Sequence, residues 1–345
     1  MSADAAEVDK KGPIVWALTT GRVGDDSQVL VAAKAAGGSI YTKDLRFNLW
    51  RELPNAMLGP SLRSLTSSTG LSEPWPDLVV GAGRRSVAAA MWIKQQSGGK
   101  SRLLRLGRPR APLDWFDLIL TTPQYGLPSA PNVLRMSLPL SEPPKTEPNG
   151  RDAVFAVLGG DSWTCKVTPE LAQAFAQRAT DLALSLKAPL KVATSPRTPA
   201  MAALALADAL PEAAEVNLWR TGQTGQYQAW MAQAKACLVT GDSASVMSDA
   251  IMTGSPVTVV TPPDARWLAY IRKLGGGPVR RWLETGGNNG LLAPPPNVDA
   301  LSNHLIANGC AKKVERDVIV IDGAAALAKQ EHAEANERIK ALVVT

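Results

Sequence analysis

The sequence predicts an α/β protein with two Rossmann-like domains that face each other across a cleft. Short apolar segments alternate with helical patterns along most of the chain, which is typical of parallel sheets covered by helices. The length of 345 residues exceeds that of one ordinary domain and suits two. Residues 141–152 are proline-rich and polar, so they are predicted to be the linker.

The N-terminal domain is predicted to span residues 14–145. Its strand candidates are short apolar runs bounded by turn-forming residues. They are residues 14–20, 38–45, 77–83, 102–106 and 116–122. Helical patterns begin near Ser27 and near Ser86, and each follows a strand candidate. Residues 1–13 have no apolar core and are predicted to be disordered.

The C-terminal domain is predicted to span residues 151–321, and residues 322–345 are predicted to form a terminal helix. The strand candidates are residues 153–160, 190–195, 215–219, 236–240 and 256–260. Thr168-Pro169 and Thr198-Pro199 each predict a helix start, because threonine caps a helix and proline suits its first turn. Ligands in such sheets bind beyond the carboxyl ends of the strands, so the loops there are the candidate sites.

The composition excludes several classes of protein. With 45% hydrophobic and 20% charged residues the chain is globular, and no stretch approaches the ~18 apolar residues of a membrane span. The three cysteines lie far apart and there are only two histidines, so neither a disulfide framework nor a metal centre is predicted. A cytoplasmic protein without a cofactor is the expectation.

The positive charge belongs to the first half of the chain. Residues 1–145 hold 18 of the 37 Lys and Arg residues but only 12 of the 31 Asp and Glu residues, and so carry the whole net charge of +6. This bias predicts an anionic partner for the N-terminal domain, with an incidental surface bias as the alternative. Nucleic acid is the weakest candidate, because no recognised motif is present.

The loop after the first strand candidate, residues 19–28, is predicted to carry chemistry. Its two glycines allow close approach of a ligand, and Asp25 and Asp26 follow them. One aspartate is expected to cap the next helix, which leaves the other as a candidate general base. Both are therefore retained as catalytic candidates.

A second loop, residues 81–86, is predicted to bind an anion on the acceptor side. It ends a strand with glycines and begins a helix with Arg84 and Arg85, whose charges oppose the helix dipole. Arg22, from the preceding loop, is grouped with them. Solvated surface arginines are the alternative.

Two loops of the C-terminal domain are predicted to bind phosphate. Residues 158–166 combine paired glycines with a serine, but their spacing matches neither a P-loop nor a dinucleotide fingerprint. Residues 193–199 place a serine and an arginine after the next strand. The candidates from these loops are Gly159, Gly160, Ser162, Ser195 and Arg197.

Residues 239–260 form the most informative segment. A strand ends, a Gly-Asp-Ser turn follows, and a helix rich in small hydroxyl residues begins, so that its N-terminus can meet an anion. An acidic residue further along can accept hydrogen bonds from a ribose. A tightly packed small-residue helix is the alternative. The nucleotide-binding candidates are Thr240, Asp242, Ser243, Ser245, Ser248 and Asp249.

These motifs resemble those of one known family. The chain resembles the mitochondrial fission Elm family, the bacterial relatives of the plant "elongated mitochondria" protein, in GRVGDDSQ, PWPDLVVGAGRRS, LGRPRAPLDWFDLILTTPQYGLPSAPNV, LGGDSWTCKVTPE, TSPRTP and VTGDSASVMSDAIMTGSPV. The resemblance runs from about Val15 to about Leu274. The last segment is also similar to the donor-nucleotide region of GT-B glycosyltransferases.

The resemblance implies a GT-B-like pair of Rossmann-type domains, with a nucleotide sugar on the C-terminal domain and an acceptor on the N-terminal domain. GT-B enzymes usually need no metal. Some relatives carry histidine in place of Asp25, where the base of a GT-B enzyme can lie, and many carry glutamate in place of Asp249. The recruitment of a fission dynamin by the plant protein is a eukaryotic role and is not expected of this chain.

The segment Arg46 to Leu65 is a candidate membrane-docking element. It combines leucines, a tryptophan and a methionine with three arginines, which suits the surface of an anionic membrane. Two prolines interrupt any long helix, and a small helix packed under the core is the alternative. The expectation is peripheral docking at the inner face of the membrane.

Together these observations predict a metal-independent GT-B-type glycosyltransferase that uses a nucleotide sugar and a membrane-associated acceptor. A non-catalytic binding protein that keeps the GT-B shell is the first alternative. A nucleotide-sugar epimerase is the second, and it would form product from the nucleotide sugar alone.

Overall fold

The fold was analysed in a computed structural model of the chain. The described residues are 12–68, 70–142, 150–219, 225–265, 267, 296–315 and 317–344. Residues 1–11 of the predicted disordered terminus and residues 143–149 of the predicted linker lie outside them. Within this described part, no helix combines the length and the apolar character needed to cross a membrane.

Among the described residues, six parallel strands form the first sheet. They are β1 (Ile14–Thr19), β2 (Ser39–Asp44), β3 (Leu78–Ala82), β4 (Arg102–Leu106), β5 (Leu118–Thr121) and β6 (Val133–Arg135). Their order across the sheet is β2-β1-β3-β4-β5-β6. The central strands β1 and β3 are almost wholly buried, which explains their continuous apolar sequences. The sequence predicted the first five strands, and β6 is too short to show a pattern.

The second sheet has seven strands within the described residues. They are β7 (Ala153–Leu158), β8 (Leu190–Thr194), β9 (Glu215–Asn217), β10 (Ala234–Thr240), β11 (Val257–Val260), β12 (Ala311–Val314) and β13 (Asp317–Val320). Their order is β12-β13-β11-β10-β7-β8-β9. The five strands β7 to β11 pair in parallel, whereas β12 and β13 form an antiparallel edge that the sequence analysis missed.

Helices cover both sheets. They are α1 (Val23–Ala36), α2 (Asn55–Leu58), α3 (Val87–Gln96), α4 (Pro169–Leu186), α5 (Ala200–Ala209), α6 (Gly225–Ala232), α7 (Ala244–Met252), α8 (Val298–Ala307) and α9 (Ala324–Ala341). Short 3₁₀ helices occupy Leu49–Glu52, Leu113–Trp115 and Pro123–Tyr125. Alternating strands and helices confirm the predicted α/β class with two Rossmann-like units.

The last helix, α9, returns to the N-terminal domain. Ala335 and Ile339 are fully buried in the same apolar cluster as Val29 of α1. The carboxylate of Glu331 accepts hydrogen bonds from the N–H and the hydroxyl of Ser137, at 2.6 and 2.8 Å. The predicted terminal helix therefore packs the C-terminal end of the chain against the N-terminal domain.

Two helix starts test the capping arguments. The hydroxyl of Thr168 accepts a hydrogen bond from Leu171 N at 3.3 Å, as predicted for an N-cap. In contrast, Pro199 rather than Thr198 occupies the N-cap position of α5. The hydroxyl of Thr198 donates instead to the carbonyl of Gly159 at 2.6 Å, so it joins two loops.

Candidate functional site

A large cleft opens between the carboxyl ends of the two sheets. Its volume is about 1270 Å³, and described residues of both domains line it. The N-terminal wall comes from the loops after β1, β3, β4 and β5, and the C-terminal wall from those after β7, β8 and β10. This is where ligands bind in open parallel sheets. The volume exceeds the range of about 300–1,000 Å³ for one small ligand, which leaves room for two.

Asp25 lies on the N-terminal wall, in the first turn of α1. Its side chain is 35% exposed, and Nη1 of Arg22 lies 3.7 Å from its Oδ2. Burial raises the pKa of the Asp25 carboxyl, and Arg22 opposes that rise. A cleft carboxylate with a raised pKa is suited to accept a proton, so the geometry keeps Asp25 as the base candidate.

Asp26, the other catalytic candidate, holds the β1–α1 turn together. Its Oδ1 accepts a hydrogen bond from Thr20 N at 2.8 Å, and its own N–H donates to the carbonyl of Arg22 at 2.8 Å. Within the described chain, Asp26 is absent from the wall of the cleft. The structure therefore gives Asp26 a role in holding this turn, and its catalytic role stays a prediction. It also shows that α1 begins at Val23, before both aspartates, and not near Ser27.

Arginines give the N-terminal wall a positive face. They are Arg22, Arg84, Arg85, Arg108 and Arg110. Arg84 forms an ion pair with Glu52 and donates to the carbonyl of Arg51 at 2.9 Å. Arg85 makes no hydrogen bond and no ion pair with the residues that the structure describes. Burial, followed by nearby cations, lowers the pKa of Arg85. Its guanidinium is a half-buried positive charge with no contacting anion among those residues.

Asp242 organises the C-terminal wall. Its side chain is fully buried, and its Oδ1 accepts a hydrogen bond from Thr240 Oγ1 at 2.6 Å. Its Oδ2 accepts from Gly160 N at 3.1 Å and from Arg197 Nη2 at 2.8 Å. Oγ1 of Thr240 in turn accepts from Gly159 N at 2.7 Å. One buried carboxylate therefore joins three loops of the second sheet.

This network engages part of the predicted phosphate site, whose binding of phosphate stays a prediction. The N–H groups of Gly159 and Gly160 are already bonded inside the protein, and neither glycine lines the cleft in the described structure. The glycines are required by close packing instead. A Cβ on Gly159 would lie 1.8 Å from Oδ1 of Asp242, and one on Gly160 would lie 2.1 Å from the carbonyl carbon of Arg197. Thr240 also lies behind the wall.

Three of the predicted phosphate-binding residues do line the cleft, namely Ser162, Ser195 and Arg197. Their polar groups also shape their own loops. Oγ of Ser162 accepts from Cys165 N at 3.1 Å, and Oγ of Ser195 accepts from Arg197 N at 3.2 Å. Arg197 shares its guanidinium between Asp242 and the carbonyl of Asp161, at 2.8 and 3.1 Å. These side chains are held in place before any ligand arrives.

The start of α7 lines the cleft, and no side chain of the described residues caps its backbone N–H groups. Ser243 occupies the N-cap without a side-chain cap bond, and its Oγ lies 3.1 Å from Oγ of Ser245. The N-terminus of α1 meets this turn, because a Cβ on Gly24 would lie 2.7 Å from Oγ of Ser245. Two helix N-termini, both without side-chain caps, therefore meet at the cleft and favour an anion there.

Ser248 and Asp249 follow on α7 and point to different places. Ser248 is fully buried and donates to the carbonyl of Pro139 at 2.7 Å, so it joins the domains and does not line the cleft. Its predicted nucleotide contact stays a prediction that this position does not support. Asp249 lines the cleft, and Oη of Tyr227 donates to its Oδ2 at 3.0 Å. Burial raises the pKa of Asp249 to about 6, while the bond from Tyr227 opposes that rise.

Several residues of the cleft escaped the sequence analysis. They are Glu52, Arg110, Trp163, Trp219, Tyr227 and Gln228. Trp163 is 60% exposed, and the guanidinium carbon of Arg110 lies 6.0 Å from the centre of its ring, across the cleft. The position of Trp163 inside the 158–166 loop was the signal available for it.

The sequence analysis predicted no metal centre. In the described ranges, no three or more His, Cys, Asp or Glu side chains come together in a way that could hold a metal ion.

Comparison with known proteins settles the family. The sequence model of the mitochondrial fission ELM1 family matches residues 23–285, well over half of the chain. The chain belongs to this family. The ELM1 match includes most of the lining of both walls of the cleft, from Asp25 to Asp249, while Arg22 lies just before it.

The chain is similar to two curated proteins. The mitochondrial fission protein ELM1 of Arabidopsis thaliana is 23% identical over 230 residues, which cover 56% of this chain and 53% of the plant protein. The alignment thus spans about half of the length of that protein. An uncharacterized protein of Rickettsia prowazekii is 20% identical over 304 residues, which cover 74% of this chain and 85% of the bacterial protein.

Solved structures give only distant similarity. The spinosyn rhamnosyltransferase SpnG in complex with spinosyn aglycone has a TM-score of 0.44 at 16% identity, covering 96% of this chain and 97% of its own. The UDP-GlcNAc 2-epimerase of Neisseria meningitidis bound to UDP-GlcNAc has a TM-score of 0.41 at 12% identity, covering 86% and 99%. Similarity at this level carries no inference about chemistry.

Proposed function

We propose that this chain is a glycosyltransferase that moves a sugar from a nucleoside diphosphate to an acceptor hydroxyl inside the cleft. The observation that carries the proposal is the position of Asp25. A carboxyl with a raised pKa lies beside a face that attracts anions, made of arginines and of two helix N-termini. This reaction needs a proton acceptor next to a site for a phosphate leaving group.

The proposed mechanism assigns one task to each wall. Asp25 takes the proton of the acceptor hydroxyl while the acceptor oxygen bonds to the anomeric carbon of the sugar. The bond from that carbon to the diphosphate oxygen breaks, and the diphosphate leaves with the bonding electrons. The N-terminus of α7 and Arg85 of the opposite wall stabilise the charge that develops on it. Asp249, held by Tyr227, accepts hydrogen bonds from the ribose.

Two further observations support this assignment. Residues 239–260 resemble the donor-nucleotide segment of GT-B glycosyltransferases, and the structure supplies Ser243, Ser245 and Asp249 from that segment to the cleft wall. The cleft volume of about 1270 Å³ accommodates a donor and an acceptor together. Neutralisation of the leaving group by arginines and helix N-termini requires no metal in this proposal.

A non-catalytic binding protein is the second candidate, and one observation favours it. Gly159 N, Gly160 N and the guanidinium of Arg197 are engaged inside the protein, so the C-terminal wall offers fewer free donors than the sequence predicted. A protein of this kind would hold a nucleotide or another anion without turning it over.

Ligand binding is the first test. The full chain is titrated by calorimetry with UDP, GDP, ADP, dTDP and inorganic pyrophosphate. Selective binding of one nucleoside diphosphate, tighter than pyrophosphate, is expected if Asp249 and its surroundings recognise the nucleoside. Equal affinity for all five ligands would contradict a donor site.

Turnover is the second test. Release of the selected nucleoside diphosphate from its sugar conjugate, with water as the acceptor hydroxyl, is followed for the unaltered chain and for Asp25→Asn. The variant is expected to lose about 100-fold or more in rate and to keep its nucleotide affinity, because it lacks only the proton acceptor. Asp44→Asn, in an aspartate that is 56% exposed outside the cleft wall, is the control. Binding without release in either chain would favour the binding protein, and an isomerised nucleotide sugar would favour an epimerase.

A further inference from the structure

Three exposed apolar side chains lie on either side of Glu52 in the sequence, and Glu52 lines the cleft. They are Leu49 and Trp50, in the 3₁₀ helix Leu49–Glu52, and Met57 in α2, and we refer to these three side chains as the lip patch. Their exposed fractions are 86%, 53% and 68%. Large apolar side chains that cluster on a surface mark an interaction site more often than single ones do.

The lip patch is fixed to the N-terminal wall of the cleft. Asn55 of α2 is buried, and its side-chain amide donates to the carbonyls of Arg84, Pro109 and Arg110 at 3.0, 3.0 and 3.3 Å. Glu52, at the end of the 3₁₀ helix, lines the cleft and pairs with Arg84. The loops that carry the arginines of the wall and the turns that carry the apolar patch are therefore one connected unit.

The segment that carries the lip patch is also basic. Residues 46–65 hold Arg46, Arg51 and Arg63. Arg46 pairs with Asp44 at 3.6 Å and Arg51 with Glu52 at 3.0 Å, whereas no ion pair of Arg63 is present among the described residues. Asn48 connects the parts, because its Nδ2 donates to the carbonyl of Arg63 at 2.8 Å and its Oδ1 accepts from Trp50 N at 2.9 Å. The side chain of Arg46 is 82% exposed. An apolar centre with basic neighbours is complementary to an anionic lipid surface.

We propose that the lip patch docks this protein onto an anionic lipid bilayer. The apolar side chains enter the interface, and the arginines contact lipid phosphates. The arginine-lined wall of the cleft then lies at the lipid surface. Docking does not depend on catalysis in the cleft, so the failure of one proposal leaves the other standing.

Vesicle flotation of the full chain tests the proposal. The vesicles contain either phosphatidylcholine alone or phosphatidylcholine with phosphatidylglycerol. The chain is expected to float with the anionic vesicles, and the triple variant L49S/W50S/M57S is expected to lose about tenfold or more of that binding. The matched control L184S/M201S/L204S removes three side chains with exposed fractions of 71%, 67% and 53% from α4 and α5, and it is expected to float as the unaltered chain does.

The charge arm uses a second pair of variants. R46E/R63E is expected to weaken flotation severalfold at low salt, whereas K312E/K313E, in the exposed residues of β12, is expected to leave it unchanged. Circular dichroism of each variant confirms the fold.

A label reports the orientation. The three native cysteines are buried, so a cysteine placed at Met57 or at Met201 can be labelled selectively with an environment-sensitive dye. A blue shift of the dye with anionic vesicles is expected at position 57 and not at position 201. The proposal is overturned if the unaltered chain does not float, if both triple variants lose binding equally, or if neither label shifts. It is also overturned if the lip patch proves to hold two copies of the chain together in solution without vesicles.

Discussion

The two walls of the cleft are built on the same plan, yet they differ in how their polar groups are used. On the C-terminal wall, Asp242 is fully buried and bonded to Thr240, Gly160 and Arg197. On the N-terminal wall, Arg85 contacts no anion among the described residues. The Asp242 network of the C-terminal wall is therefore satisfied within the protein, while Arg85 of the N-terminal wall retains a positive charge that a ligand can neutralise.

This difference separates stability from binding. A polar network that is complete in the empty protein contributes to folding, and its loss leaves buried groups without partners. A charge without a contacting partner contributes little to folding, but it is available for a ligand. Substitutions in the Asp242 network of the C-terminal wall are thus expected to lower stability, and substitution of Arg85 on the N-terminal wall is expected to lower ligand affinity.

The largest effect is expected from Asp242→Ala. The substitution leaves two buried donors, Gly160 N and Thr240 Oγ1, without their acceptor, so the free energy of unfolding should fall by about 2–5 kcal/mol. Urea denaturation followed by circular dichroism measures it. Asp25→Ala is the comparison on the other wall, and its effect should be within about 1 kcal/mol, because that carboxyl is 35% exposed. Equal losses of unfolding free energy for the two variants would contradict the proposed difference between the walls.

Asp249 provides the next largest effect and an exception within the C-terminal wall. Burial raises the pKa of its carboxyl from 3.8 to about 6, so the folded chain binds a proton there more tightly than the unfolded chain. This contribution to stability is present below about pH 4 and is lost as the pH rises through about 6. Asp249→Asn removes the titration and can still accept the bond from Tyr227.

The asparagine variant should therefore be more stable than the unaltered chain by up to about 3 kcal/mol near pH 8, with no difference below about pH 4. Urea midpoints across this pH range measure the effect. Asp44→Asn, in an aspartate that is 56% exposed, is the control. A difference between Asp249→Asn and the unaltered chain that stays constant with pH would contradict the assigned titration.

A smaller effect, on affinity alone, is expected from Arg85→Gln. Removing a cation that contacts no anion should change stability by less than about 0.5 kcal/mol. The affinity for inorganic pyrophosphate should fall about tenfold to a hundredfold, because a charged hydrogen bond is lost. Arg197→Gln should have the opposite effect. It should lower the free energy of unfolding more than it lowers the affinity for pyrophosphate, because it breaks the ion pair with Asp242. Calorimetry and urea denaturation, with Lys313→Gln as the neutral control, distinguish the two arginines.

Much of the fold was predictable because local signals and tertiary structure agree. Continuous apolar runs at β1 and β3 predicted buried parallel strands, and Thr168-Pro169 predicted the start of α4. The antiparallel edge of β12 and β13 was missed. Its strands have four residues each, and β12 is exposed along most of its length, so it lacks the apolar pattern that marks a strand.

The site was predictable at the level of loops but not of individual atoms. The sequence directed attention to the loops that line the cleft, yet it assigned Gly159, Gly160 and Ser248 to a ligand. The groups that accept hydrogen bonds from these residues belong to Thr240, Asp242 and Pro139, and all three lie far from their partners in sequence. Glycines and serines carry the same local signal in a phosphate cradle and in a tight interloop contact. Only the fold decides which partner reaches them.

The smallest effect concerns the contact that links the walls. The guanidinium of Arg110 lies 6.0 Å from the ring of Trp163, which is 60% exposed, so their cation–π attraction should contribute about 0.5–1 kcal/mol. A double-mutant cycle with Arg110→Met and Trp163→Leu measures this coupling through urea denaturation. Exact additivity of the two substitutions would show that the walls are not joined by this pair. The cycle is then repeated with saturating pyrophosphate. A ligand that draws the N-terminal arginines toward α7 should increase the coupling free energy between Arg110 and Trp163. An unchanged value would mean that the ligand binds to one wall without bringing the other closer.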